Sequence, residues 1–293
     1  MNDLDGKRRN MILNHRTIPL ELNEISSNIL NKNIPITQNP FKESDYMTTV
    51  VGIKSTNGIV IASDSQFTAV DIKDLQGNKI FKINDFTALG GAGEIGQTKM
   101  LVDKLRQELG NELLSDLSLR EKVEDVLLGF YKKYTVEWKD KLQLHQYINF
   151  FDPLSVLGTK LIDNIYGLYV IRFTPRPWLE SIDNYETIGS GDSLAKLILR
   201  QQSRAPNFES KTFADLPYEY NIWVASLTIN EIKAFETYSG GSTRLAIINK
   251  DGYRLLTNEE LSNYYNNYID GITGIFNKSG MNKEMIKAFF PKL

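Results

Sequence analysis

A strand-like alternation of apolar and polar positions begins at Thr48. Val51 and Ile53 alternate with smaller or polar neighbours, Asn57-Gly58 marks a tight hairpin turn, and Ile59-Val60-Ile61-Ala62 forms a continuous run with the character of a buried strand. Two more short strands are expected to end at Ala92-Gly93. The period then changes. Over 94–109, Ile95, Met100, Leu101, Leu105 and Leu109 fall at near-helical spacing with charged residues between them. Val123, Val126, Leu127, Phe130 and Tyr134 repeat that spacing over 119–144. These segments read as two helices lying on one face of a sheet. The order then repeats, with strands near 154–162 and 165–173 and a Gly189-Ser190-Gly191 turn into a helix carrying Leu194, Leu197 and Ile198. A helix over 218–235 follows, then a β-hairpin around Asn249-Lys250-Asp251-Gly252. The stretches 175–178 and 200–217 read as surface loops. The tail after about 258 is amphipathic, with Tyr264, Tyr265, Tyr268, Ile272 and Ile275, and is expected to wrap a neighbouring subunit. Periodicity alone gives an α+β chain with no short internal repeat.

Residues 1–46 break this patterning. They are rich in Asn, Lys, Ser and Glu, with isolated apolar residues and prolines at Pro19, Pro35 and Pro40. Lys7-Arg8-Arg9 is not followed by the continuous apolar core and small-residue cleavage site of a secretory signal. On composition the segment is a disordered tail. Two further readings are a propeptide, residues 1–47, removed ahead of a domain 48–293, and a segment upstream of a true start at Met47.

Composition narrows the function classes. The chain has 293 residues, 41% of them hydrophobic and 24% charged, with a net charge of −2, which is material for a sizeable core without the basic excess of a nucleic-acid binder. No run of about 18 apolar residues marks a membrane span. Cysteine is absent, which removes disulfides, thiolate metal sites and a Cys nucleophile, and fits a reducing, cytoplasmic setting. The two histidines, His15 and His145, lack a spaced carboxylate–histidine motif, so neither a histidine metal centre nor a Ser-His-Asp triad is expected. The Gly-rich stretch 90–96 enters a helix as a phosphate loop would, but it lacks the Gly-Lys-Ser/Thr ending. No metal and no organic cofactor is expected.

The chemistry concentrates at the start of the patterned region. Thr48 stands at the head of the first strand, and Asp64 falls sixteen residues later at the end of the second. A chain cut before Thr48 would carry the hydroxyl and a free α-amine, of unperturbed pKa about 8, on one residue. Nucleophile and base would then belong to the same side chain and terminus. Thr49 is the alternative nucleophile, which would make the aspartate spacing fifteen.

Thr48-Thr49-Val50-Val51-Gly52-Ile53, Asn57-Gly58 and Ala62-Ser63-Asp64-Ser65 together resemble the opening of a proteasome β subunit. Further matches follow in order. Lys79-Ile80-Phe81-Lys82-Ile83 resembles the family's lysine strand, one residue early, and Leu89-Gly90-Gly91-Ala92-Gly93 its small-residue turn into the first long helix. Ile188-Gly189-Ser190-Gly191 and Tyr238-Ser239-Gly240-Gly241-Ser242 resemble its two later glycine-flanked serine segments. The resemblance covers roughly 48–255.

The resemblance implies a four-layer α-β-β-α sandwich of the N-terminal-nucleophile type and a threonine endopeptidase. Thr48 would be the nucleophile, and Lys79, rather than Lys82, the ammonium that lowers the proton affinity of its oxygen. Asp64 would hold Lys79, and Gly93 would offer its N–H to the oxyanion. Ser190 and Ser239 would surround the new amine. Glu236 stands where the family carries an aspartate, and Met47 where self-cleaving members carry glycine. Phe67, Gly77, Gly91, Ile95 and Lys99 would line the pocket for the residue before the scissile bond. Gly91 would leave that pocket roomy, and Lys99 would hold an acidic substrate side chain. Implied partners are other β subunits in a ring, α-type ring subunits, an ATPase unfoldase and unfolded polypeptide, with no nucleic acid and no membrane. Two rival functions share the same residues: a threonine transpeptidase, and an unprocessed ring subunit serving assembly alone.

Overall fold

Strands β1 (Thr49–Ser55) and β2 (Gly58–Asp64) are buried along almost their whole length, because each contributes side chains to two cores at once. Val50, Ile59 and Ile61 point into one apolar layer, while Val51, Ile53, Val60 and Ala62 point into another. This two-sided burial explains why 59–62 reads as a continuous apolar run rather than an alternation. The hairpin turn is Thr56-Asn57, with Gly58 already paired to Ser55 as the first residue of β2.

The computed structural model describes residues 48–69, 72–75, 77–137, 153–173, 176–203, 211–236 and 239–264; side-chain placement is not described at 67–69, 72–74 and 135. The leader 1–47, Met47 included, and the tail positions Tyr265, Tyr268, Ile272 and Ile275 lie outside the described residues.

The remaining strands are β3 (Phe67–Ala69), β4 (Ile72–Asp74), β5 (Ile80–Lys82), β6 (Thr87–Ala92), β7 (Leu154–Lys160), β8 (Tyr166–Arg172), β9 (Trp178–Ile182), β10 (Tyr185–Gly189), β11 (Thr243–Asn249) and β12 (Gly252–Leu255). Two five-stranded antiparallel sheets form, ordered β10-β1-β2-β11-β12 and β5-β6-β7-β8-β9, and β3 pairs only with β4. The helices are α1 (Ile95–Leu109), α2 (Asp116–Tyr131), α3 (Asp192–Ser203) and α4 (Tyr218–Phe235), with a helical run over 258–264.

Three apolar clusters define four layers. Between the sheets lie Val50, Ile61, Ala88, Val156, Leu168 and Ile248. Cβ atoms added at Gly52, Gly90 and Gly158 would strike residues of the facing sheet, so these glycines let the two sheets approach closely. On the outer face of the second sheet, Leu101, Leu105 and Leu109 of α1 meet Val123 and Leu127 of α2. On the outer face of the first sheet, Ala195 and Leu199 of α3 meet Ile222, Val224 and Ile229 of α4. The α-β-β-α sandwich implied by the resemblance is the architecture observed.

Several boundaries differ from the sequence reading. Helix α2 starts at Asp116, earlier than 119, because the Ser115 hydroxyl caps it by accepting from the Ser118 N–H at 3.1 Å. It continues as a wider π turn, Lys132–Glu137, and the rest of the expected helix, from 138, lies outside the described residues. Strand β7 ends at Lys160, and Asp163 and Asn164 turn the chain with positive φ of 59° and 57°. Trp178 is no loop residue but opens β9. Within 200–217, α3 runs on to Ser203, and Phe213 is fully buried in the core with its ring edge-on to Tyr185, 5.7 Å between centroids. At the other end, Leu261 and Tyr264 pack against this molecule's own core.

Candidate active site

The hairpin geometry alone brings Asp64 to Thr48. Because β2 returns antiparallel along β1, with Val50 opposite Ser63, the last residue of β2 comes to lie beside the first residues of β1. On one flank, β11 pairs Thr243 with Asp64 and so delivers the 239–242 segment. On the other, β10 pairs Gly189 with Thr49 and delivers the 189–191 turn. Lys79 immediately precedes β5 of the other sheet, where its carbonyl accepts from Gly91 N–H at 2.9 Å. Segments distant in sequence thus converge on the head of β1.

Asp64 is the organising group. Its Oδ1 accepts from Lys79 Nζ at 2.9 Å and from the Thr49 N–H at 3.0 Å, and its Oδ2 accepts from the N–H groups of Gln66 at 3.1 Å and Gly240 at 3.2 Å. Both ions of the pair are inside the protein, with Lys79 1% and Asp64 0% exposed. Such a pair is tolerable because the carboxylate is fully supplied with donors. Burial pushes the Lys79 ammonium below its ordinary value of 10.5; the charge and hydrogen bond of Asp64, and the more distant charge of Glu236, oppose that shift. Lys82 is a surface residue paired with Asp85, so Lys79 is the lysine built into the site.

Around Thr48, Ser190 Oγ donates to the Thr48 carbonyl at 3.5 Å. Gly189 holds φ +96°, and a Cβ there would lie 1.8 Å from the same carbonyl oxygen, so only glycine fits. Ser239 Oγ donates to Glu236 Oε2 at 2.8 Å, and Glu236 sits just past the end of α4. The carboxylate therefore meets the serine segment despite its extra methylene. Gly93, with φ +103°, makes the turn between β6 and α1.

The expected pocket residues come from β3, β6, α1 and the segment ahead of β5. Gly77 is buried and donates its N–H to the Ser65 carbonyl at 2.8 Å. Phe67 opens β3, and its side chain is outside the described set. Ile95 is half-buried and Lys99 is exposed on α1. A Cβ at Gly91 would lie 2.3 Å from the Thr98 methyl. Glycine there admits α1 against the sheet.

In the sequence Thr49 reads only as an alternative nucleophile, but the structure builds it into the site. Thr49 is fully buried, and its Oγ1 lies 2.9 Å from Ser239 Oγ. Gly240, whose N–H helps hold Asp64, is visible in the sequence only through its motif. The doubled glycine of Ser239-Gly240-Gly241 was its one signal.

Two antiparallel sheets between helix layers, with a threonine at the head of an inner strand beside a buried Asp–Lys pair, define an N-terminal-nucleophile-type sandwich. The family model described as "Proteasome subunit" matches residues 46–248, more than half the chain. The chain belongs to the proteasome subunit family and is of the β type. It is 25% identical over 230 residues to a proteasome subunit beta of Methanococcus maripaludis (strain C7), covering 75% of this chain and 92% of the relative. A proteasome subunit beta of Methanocaldococcus fervens is 23% identical over 226 residues, covering 75% and 89%. Proteasome subunit beta 2 of Pyrococcus abyssi is 25% identical over 223 residues, covering 73% and 92%.

Among the described residues no group of three or more His, Asp or Glu side chains is placed to hold a metal ion, and no helix is long and apolar enough to cross a membrane.

Proposed function

We propose that this chain is a threonine endopeptidase subunit, with Thr48 as its nucleophile once residues 1–47 have been removed. The observation that carries this reading is the shared oxygen of Asp64. Oδ1 binds both the Lys79 ammonium and the amide that joins Thr48 to Thr49, which draws a buried positive charge to the residue bearing the nucleophilic hydroxyl.

In the uncut chain the Thr48 nitrogen is part of a peptide bond and cannot take a proton. Cleavage before Thr48 frees an amine that serves as base. Thr48 Oγ attacks the substrate carbonyl while its proton passes to that amine. The Lys79 charge favours alkoxide character at the attacking oxygen. The Gly93 N–H is the oxyanion donor, a contribution of about 3 kcal/mol where such donors have been removed from other hydrolases. Collapse of the intermediate expels the amine product, which takes the proton from the α-ammonium as it leaves, and a Thr48 ester remains. Water, activated by the same α-amine, hydrolyses the ester and returns the free threonine.

Family membership supports assembly with other proteasome subunits. The reading extends this to a β ring with α-type rings stacked on it, an ATPase unfoldase supplying unfolded polypeptide, and a cytoplasmic setting. Hydrolysis of reporter peptides by the purified assembly tests the reading. The Thr48→Ala assembly is expected to be inactive, and Thr48→Ser is expected to retain activity. Equal hydrolysis by wild type and Thr48→Ala would overturn it.

A further inference from the structure

The buried residue next to the nucleophile bonds to both carboxylate arms of the site. Thr49 donates its backbone N–H to Asp64 Oδ1 at 3.0 Å, and its Oγ1 lies 2.9 Å from Ser239 Oγ. Ser239 Oγ in turn donates to Glu236 Oε2 at 2.8 Å. A serine hydroxyl has one proton, and here it is directed at the carboxylate, so the Thr49 hydroxyl must be the donor to Ser239. The chain therefore runs Thr49 to Ser239 to Glu236, each hydroxyl polarising the next. Thr49 is 0% exposed, with its hydroxyl engaged by Ser239. The space around it is closed on the third side by Gly191, where a Cβ would lie 2.2 Å from Thr49 Oγ1 and 2.9 Å from Glu236 Oε2.

We infer that Thr49 is a positioning residue that yokes the Asp64–Lys79 arm to the Glu236–Ser239 arm, fixing the backbone of Thr48 between them. The glutamate at 236 gives the yoke its reach: its carboxylate extends from the end of α4 to the serine hydroxyl, and the serine hands the contact on to Thr49. The inference rests on the threonine-endopeptidase reading and assigns Thr49 no contact with substrate.

The test compares peptide hydrolysis by wild-type, Thr49→Ser, Thr49→Val and Ser239→Ala assemblies, with intact mass confirming the N-terminus and size confirming assembly of each. Losing one buried hydrogen bond of this kind is expected to lower kcat by about tenfold or more in Thr49→Val, with KM unchanged. Thr49→Ser, which keeps the hydroxyl, is expected to remain within a few-fold of wild type. Combining Thr49→Val with Ser239→Ala is expected to lower kcat little beyond the worse single variant, because both cut one chain. Thr49→Ala, which cannot clash, replaces Thr49→Val if the latter does not assemble. Wild-type kcat in Thr49→Val or Thr49→Ala, a Thr49→Ser variant as impaired as Thr49→Val, or fully additive losses in the double variant would each overturn the inference while wild type still hydrolyses through Thr48. A wild-type assembly with no Thr48-dependent hydrolysis overturns the endopeptidase reading and the inference with it.

Discussion

At the scale of single residues, the site is a competition between desolvation and donors. The ion pair of Asp64 and Lys79 is wholly buried, and removing one partner leaves the other charge without compensation, a loss of about 3 to 5 kcal/mol. Lys79→Met is therefore expected to lower the unfolding midpoint as well as abolish hydrolysis, which thermal denaturation and reporter cleavage read separately. Because burial holds the Lys79 ammonium below its ordinary value, it loses its proton at lower pH than an exposed lysine. The proposed mechanism needs the charged form, so kcat is expected to fall on the alkaline side before pH 10.5 is reached. A kcat that stays level through that pH would contradict the role given to Lys79. Thr48, Asp64 and Lys79 were legible because the family pattern places them near the start of the domain, at the two ends of the first hairpin and just ahead of β5. Thr49 was not, because its hydroxyl partner lies 190 positions away and no local spacing announces that bond.

At the scale of elements, legibility followed burial. β1 and β2 read clearly from sequence because both faces are apolar. β9 and β10 did not, because in Trp-Leu-Glu-Ser-Ile and Tyr-Glu-Thr-Ile-Gly only three side chains, Leu179, Thr187 and Ile188, are buried and polar residues interrupt them. Phe213 was hidden in a polar stretch, yet it is fully buried among α4 and β1 side chains. Phe213→Ala is expected to cost about 3 to 5 kcal/mol, measured by denaturant unfolding. Turns carry equal weight. Gly189→Ala places a methyl on the Thr48 carbonyl and strains a positive-φ residue, so it is expected to displace the nucleophile and remove hydrolysis. An active Gly189→Ala assembly would show that the 189–191 turn does not set the position of Thr48.

At the scale of the whole molecule, the sandwich gathers six of the proposed site residues at one edge. Thr48, Asp64, Ser190 and Ser239 arrive on strands of the first sheet or the turns beside them, Lys79 from the margin of the second sheet, and Glu236 from the end of α4. Beyond the first hairpin, which brings Asp64 to Thr48, that convergence cannot be read from periodicity, which registers neighbours two to four positions apart; it became visible only through an ordered family resemblance. The part Gly91 plays was less legible because its close approach to Thr98 depends on how α1 packs on the sheet. The central claim is that this fold presents a threonine whose amine is freed by cleavage. The most direct test is the intact mass and N-terminal sequence of the chain taken from its native assembly. The account predicts a chain beginning at Thr48, and a mature assembly whose chains all retain residues 1–47 would contradict it.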